Sequence, residues 1–300
     1  MMGTHLDART PGLIGDARSG IARLQRMATE TKSEATAAVP TAEDELLYEQ
    51  HGHVGVITLN RPEARNALTW RTYKLLEDAV RTTTARCLVI TGNGTAFCSG
   101  DDVKLVMGGG DRPPEVGSAA RSGPRLTPAA DALLHTNVPV VAAVNGAAVG
   151  WGMELALMAD LRVASEKARF GELFVMRGLV SDAPGFGRLA QLVGREKAAE
   201  LLFTGDIISA EEALRIGLVG RVVPPDDLLP SAMALATKIA SNPPLAVQQI
   251  KAGLRRTLDP DWNDLGSWVS SRLGELFQTA DHREGVKSFL EKRPPSFTGT

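Results

Sequence analysis

From about Leu46 the chain alternates short apolar runs with amphipathic stretches. Val54-Gly-Val-Ile-Thr-Leu59 reads as a strand, and the segment from Asn60 to Asn66, with Pro62 inside it, as the turn that follows. Thr69 is placed to cap a helix whose Tyr73, Leu76, Ala79 and Val80 share one face. Residues 87–91 (Cys-Leu-Val-Ile-Thr) are continuously apolar, the pattern of a strand buried on both faces. The same pattern recurs at 138–144, then gives way to a glycine-punctuated turn at 145–152, a helix near 152–159 and a strand at 161–164. Strands alternating with helices in this way predict parallel β-α units. Ser209 to Glu212 reads as a capping box for a short helix closed by Gly217. Beyond about residue 230 only helical periods remain, at 231–240, 245–256, 262–278 and 282–292, with Asp281 as the expected cap of the last.

This pattern divides the chain into three parts. Residues 1–42 hold no sustained apolar period and read as a mobile extension with one short helix around 21–27; 43–228 form an α/β core; 229–297 form a C-terminal helical region. No flexible linker separates core from helices. The stretch 105–130, with Gly108-Gly109-Gly110, Pro113-Pro114 and Gly123-Pro124, reads as a long irregular loop of the kind that forms lids. Its glycines neither follow a strand nor open a helix with the spacing of a phosphate loop.

Composition narrows the function classes. With 33 basic and 35 acidic residues the formal charge is -2, which gives no electrostatic reason to expect nucleic acid or an anionic membrane as partner. Cys87 and Cys98, the only cysteines, lie in apolar segments and form no disulfide framework, which suits a reducing, cytoplasmic setting. The five histidines show no metal-ligand spacing, and no apolar run reaches the ~18 residues a membrane helix requires. The N-terminus lacks the apolar stretch of a signal peptide. The expectation is a soluble intracellular protein without a bound metal.

Two strand-to-helix junctions carry candidate chemistry: Ala96-Phe97-Cys98-Ser99-Gly100-Asp101-Asp102, and the turn at 145–152 feeding the helix that holds Glu154. Glycines permit sharp turns and close approach of a ligand, and exposed N–H groups at a helix start favour negative charge. Two such amides converging on one oxygen would make an oxyanion hole, worth about 3–4 kcal/mol of transition-state stabilisation per donor. From the pattern alone, tight turns with no catalytic role remain an equal alternative.

Asn60-Arg61-Pro62 with Ala64 to Leu68, Phe97 to Asp102, Val144-Asn145-Gly146 through Glu154-Leu155, Phe170-Gly171, Thr204-Gly205, Ala213 to Val219 and Glu284-Gly285 with Phe289 to Arg293 resemble the crotonase (enoyl-CoA hydratase/isomerase) superfamily in order and spacing, over roughly 46–297. The resemblance implies a spiral of ββα turns with a C-terminal α-helical trimerisation region, giving a homotrimer or a dimer of trimers. It implies that the amides of Asp101 and Trp151 hold the carbonyl oxygen of an acyl-CoA thioester. It further implies that Ala64, Asn66, Ala67, Leu68, Ser99, Gly100 and Asp102 line the bound coenzyme A, and that Phe289 and Lys292 meet its adenosine and phosphates. Coenzyme A would then be part of the substrate, and the resemblance adds the expectation of an enzyme with no prosthetic group.

The chain departs from its relatives at the acid/base positions. Glu154 matches the first of the two glutamates of typical hydratases, but Phe174 stands where the second is expected, and Phe cannot move a proton. Asp182 matches the place of an acid/base aspartate in dienoyl-CoA isomerases and of the nucleophile in a chlorobenzoyl-CoA dehalogenase. Glu154 is accordingly assigned as base or water-orienting group and Asp182 as its partner, for hydration or double-bond isomerisation. A second reading makes Asp182 the nucleophile of a hydrolase, dehalogenase or C–C bond-cleaving relative; a third is a non-catalytic CoA- or RNA-binding relative. Trp151, where relatives carry glycine, is expected to fill part of the acyl pocket.

Overall fold

A computed structural model describes residues 44–107 and 126–300. The extension at 1–42 and the glycine- and proline-rich part of the expected loop lie outside the described residues.

The described chain begins with a hairpin, β1 (Leu46–His51) and β2 (Val54–Leu59), and the capped helix α1 (Trp70–Thr82). Thr69 Oγ1 accepts the Thr72 N–H and the Thr72 hydroxyl answers the Thr69 N–H, a reciprocal cap. Three turns of a spiral follow. Each places its first strand in one sheet and its second in another: β3 (Cys87–Gly92) with β4 (Ala96–Cys98), β5 (Val140–Val144) with β6 (Ala147–Val149), and β7 (Leu161–Ser165) with β8 (Arg169–Gly171). Helix α2 (Pro128–His135) precedes the second turn and α3 (Trp151–Met158) closes it. The chain continues through a π-helical turn (Gly185–Leu189), α4 (Ala190–Val193), α5 (Arg195–Thr204), β9 (Ile208–Ser209), α6 (Ala210–Arg215) and β10 (Arg221–Val223). The larger sheet has the order β1-β2-β3-β5-β7-β10, parallel from β2 onward; the smaller is β4-β6-β8-β9, parallel except at β9. This is the ββα spiral.

Both faces of the large sheet are buried, as the continuous apolar runs require. Helix α7 (Leu228–Ala240) lays Leu228, Ala232, Ala236 and Ala240 on Val54, Val56, Val89, Val141 and Val163. Alanine at every fourth position lets its axis approach closely. The helix therefore belongs to the core although it opens the helical part of the chain. Helices α8 (Pro244–Leu258), α9 (Trp262–Leu276) and α10 (Ala280–Glu291) complete it, and Lys251 ties α8 inward through Asp160 (2.7 Å) and the Val138 carbonyl (2.9 Å).

Several local expectations change. The cap of α10 is Thr279, whose Oγ1 accepts the His282 N–H; Asp281 lies inside the first turn and accepts the Thr298 and Gly299 amides. Ser209 caps α6, but the Glu212 carboxylate pairs with Arg215, so only half of the capping box forms. The tail of the expected loop is helical from Pro128, with Thr127 as its cap.

Candidate active site

The site forms where the first two turns of the spiral press together. Gly152 in α3 packs so tightly on β4 that a Cβ there would lie 2.1 Å from the Cys98 carbonyl oxygen. A Cβ on Gly100, whose φ is +86°, would lie 3.0 Å from the Val149 oxygen and 3.2 Å from the Trp151 nitrogen. Only glycine allows this approach. The Leu68 N–H donates to Gly100 O and the Asp102 N–H to Leu68 O, a parallel bridge that passes over the Asp101 amide. Trp151 is the first residue of α3, so its N–H has no intrahelical acceptor. Among the described residues, no turn, loop or cap hydrogen bond uses either amide. Ser99, Gly100, Asp101, Trp151, Phe174 and Arg177 line a narrow cavity of about 30 Å³ at this junction.

Around the amides lies a set of acidic groups. The Tyr73 hydroxyl donates to Asp101 Oδ1 at 2.5 Å, and the Tyr73 ring meets Trp151 edge-on at 4.7 Å. Burial pushes Asp101 up to about 6 even though the Tyr73 hydrogen bond favours its charged form. Trp151 Nε1 donates to Asp182 Oδ2 at 3.2 Å, and the Ala183 amide donates to Asp182 Oδ1 at 2.8 Å. Burial raises Asp182 as well, against those two bonds.

Glu154 is fully buried and sits behind Asp182. Its Oε1 accepts the Asp182 N–H at 2.9 Å and its Oε2 the Gly185 N–H at 2.6 Å. It does not line the cavity beside the two amides. The structure thus joins Glu154 to Asp182 through the main chain of the 182–185 turn. Phe174 lines the cavity, so the position where a second glutamate is expected carries no acid.

The segment from Ala64 to Leu68 docks on Ser99–Asp102: the Ser99 N–H donates to Arg65 O and the Ser99 hydroxyl to Ala64 O. Several of these side chains are spent on the protein itself. Asn66 is buried at φ +56°, with its amide on the Asn93 and Ala96 carbonyls. Asp102 is ion-paired with Arg61, which also holds the Ala67 carbonyl, and Leu68 is fully buried. Asn66, Leu68 and Asp102 therefore shape this wall from within rather than offering side chains to a ligand. Phe289 is half exposed beneath the Arg177 guanidinium (4.5 Å to the ring centroid). Lys292 is exposed at the C-cap of α10.

Cys98 is buried and its thiol is pushed up to about 12, which removes it as a nucleophile. On α1, Lys74 pairs with Asp78 and Arg81 with Glu77 and Asp131, leaving no basic face for phosphates. Among the described residues no group of three or more acidic, His or Cys side chains is arranged to hold a metal ion, and no helix is long and apolar enough to cross a membrane. Tyr73, Glu172, Arg177 and Ser181 were not singled out from the sequence. Tyr73 reads there as one apolar-face residue of α1, and Glu172 is overshadowed by the departure at Phe174 two residues on.

Comparison with known proteins decides the family. Residues 49–300 match the enoyl-CoA hydratase/isomerase family. The chain belongs to that family. It is 37% identical over 265 residues to a crotonyl-CoA hydratase of Syntrophomonas wolfei, covering 85% of this chain and 98% of the relative. It is 36% identical over 256 residues to a short-chain-enoyl-CoA hydratase of Clostridium acetobutylicum, covering 83% and 95%. Among solved structures, an enoyl-CoA hydratase/isomerase from Pseudoalteromonas atlantica superposes with a TM-score of 0.73 at 30% identity, covering 85% of this chain and all of that one. A carnitinyl-CoA hydratase from Mycobacterium avium gives 0.73 at 34%, covering 85% and 99%. The spiral fold and the family expected from the motifs both hold. Within this enoyl-CoA hydratase/isomerase family member, Phe174 and the Asp182–Trp151 pair give the site its own character.

Proposed function

We propose that the protein acts on an acyl-CoA thioester and moves a double bond through an enolate held by the amides of Asp101 and Trp151, with Asp182 carrying the proton. Asp182 takes the proton from carbon while the C–H electron pair moves into the thioester oxygen. The same carboxylic acid returns the proton at another carbon as that pair moves back. Atoms and charge balance without water or a co-reactant. Fixed amides stabilise the developing oxyanion without solvent reorganisation. The observation that supports this reading is the Trp151 indole bond to Asp182, which ties that carboxylate to the residue whose main-chain amide enters no turn, loop or cap hydrogen bond among the described residues. Asp101 contributes its amide while Tyr73 holds its carboxyl.

Hydration by two carboxylates is less well supported, because Phe174 stands at the cavity and both Glu154 oxygens accept main-chain amides. In this reading Glu154 holds the Asp182 turn. Coenzyme A is part of the substrate. Its adenosine and phosphates suit the groove of about 330 Å³ lined by Arg177, Phe289 and Arg293, with Lys292 adjacent. Self-association into trimers suits the apolar row Ile250, Leu254 and Leu258 on α8, each more than half exposed at four-residue spacing. Two buried free thiols suit a reducing cytoplasm.

A panel of enoyl-, dienoyl- and aryl-CoA esters, followed by ultraviolet absorbance of the thioester, tests the reading. Conversion of an enoyl or dienoyl ester by the wild type and its loss in D182N are expected. A covalent adduct on Asp182, detected by mass spectrometry, would support the nucleophile instead.

A further inference from the structure

Glu172 and Glu154 are two fully buried carboxyl groups with no cation beside them among the described residues. Their relative exposures are 1% and 0%, and no described lysine, arginine or histidine interacts with either. Both crowd one point: a Cβ on Gly185 would lie 2.7 Å from Glu154 Oε1 and 3.4 Å from Glu172 Oε1. Glu172 Oε2 accepts the Ser181 hydroxyl at 3.2 Å, while Glu172 Oε1 is buried without a partner. Both Glu154 oxygens already accept an N–H, and each keeps a second lone pair. A buried acceptor left unmade costs about 1–3 kcal/mol, and two adjacent buried carboxylates cannot both ionise.

We propose that Glu172 carries a proton on Oε1 and donates it to Glu154, and that this carboxylic acid–carboxylate bridge makes Glu172 a positioning residue for Asp182. The bridge satisfies every oxygen of the pair. Glu172 then grips the chain on both sides of Asp182: Ser181 directly, and the Asp182 and Gly185 amides through Glu154. Glu172 directly follows the strand β8 and Glu154 lies in the helix α3, so the turn is held between residues set by two regular elements. The electrostatics agree, since burial pushes Glu172 up to about 8 and Glu154 well above the usual carboxylate range. The charged or titratable groups facing the pair are each other and Asp182, whose like charge raises both further. Family resemblance directs attention to position 174 for a second glutamate; here the buried acid lies at 172 and is not among the residues lining the cavity.

The inference rests on Asp182 as the proton carrier, and its test separates the two. Infrared difference spectroscopy of the full chain near neutral pH reads the proton directly: a protonated-carboxyl band present in the wild type and missing in E172Q is expected, whatever the activity. Absence of that band in the wild type overturns the bridge. In turnover, E172Q supplies an N–H to Glu154 and a carbonyl to Ser181, so kcat within about threefold of wild type is expected, against a loss of about thirtyfold in E172L at similar KM. The wild-type rate should decline on an alkaline limb near 8, and E172Q should lack that limb. Full activity in E172L, or an unchanged limb in E172Q, overturns the positioning role. Should E172L fail to fold, the band and the E172Q pH profile decide. A band that is present while D182N stays fully active would remove the assignment of Asp182 and leave the shared proton standing.

Discussion

The indole Nε1 of Trp151 donates to Oδ2 of Asp182 across 3.2 Å, so in the proposed reading the residue whose main-chain amide would hold the oxyanion also orients the acid/base group with its side chain. A glycine at position 151 would keep the amide and lose this link. W151F should retain CoA-ester binding and lower kcat about tenfold, because the indole bond both aims Asp182 and favours its charged form. Its acid limb should move to higher pH than in wild type. D182N should lower kcat at least a hundredfold with the ester still bound, as steady-state kinetics and calorimetry would read.

Tyr73 is expected to set the charge of Asp101. Its hydrogen bond favours the carboxylate, so Y73F should raise Asp101 above its value of about 6. Carboxyl-carbon NMR titration of the two proteins would show the midpoint moving upward. A downward move would contradict the hydrogen bond as placed.

Much of the fold is legible in the hydrophobic pattern, and the reasons are local. Runs such as 87–91 and 140–144 are apolar throughout because helices cover both faces of the large sheet. The second sheet is not legible in that pattern. Its strands β4, β6 and β8 are each three residues long, too short to display a period, and β6 lies inside what reads as a glycine turn. The amides of Asp101 and Trp151 are legible because glycines at 100, 150 and 152 mark a close approach of backbones. The acidic network is not. Tyr73, Asp101 and Asp182 come from distant parts of the chain, and the pairing of Glu154 with Glu172 depends on the path of the turn around Gly185.

Gly152→Ala should be costly where most surface Gly→Ala changes are mild. The added methyl meets the Cys98 carbonyl at 2.1 Å, and backbone has nowhere to yield without parting α3 from β4. Loss of about 1–3 kcal/mol in denaturant unfolding is expected, together with loss of turnover, since the Trp151 amide moves with the helix.

Stability should fall as pH rises from about 5 to 8. Glu172 is raised from 4.5 to about 8 and Asp101 from 3.8 to about 6 in the folded protein. The native state therefore holds protons that the unfolded chain has released. For a carboxyl raised on folding, the stabilisation is complete below the unfolded value and lost as pH passes through the folded one. Urea midpoints measured across this range should decline for the wild type, and E172Q should flatten the upper part of the slope.

A crystal structure with a saturated acyl-CoA, which cannot shift a double bond, tests the central claim most directly. The thioester oxygen should lie about 3 Å from the main-chain nitrogens of both Asp101 and Trp151, with the Asp182 carboxyl facing the acyl carbons. An oxygen bound elsewhere, or held by only one of the two nitrogens, would contradict the account.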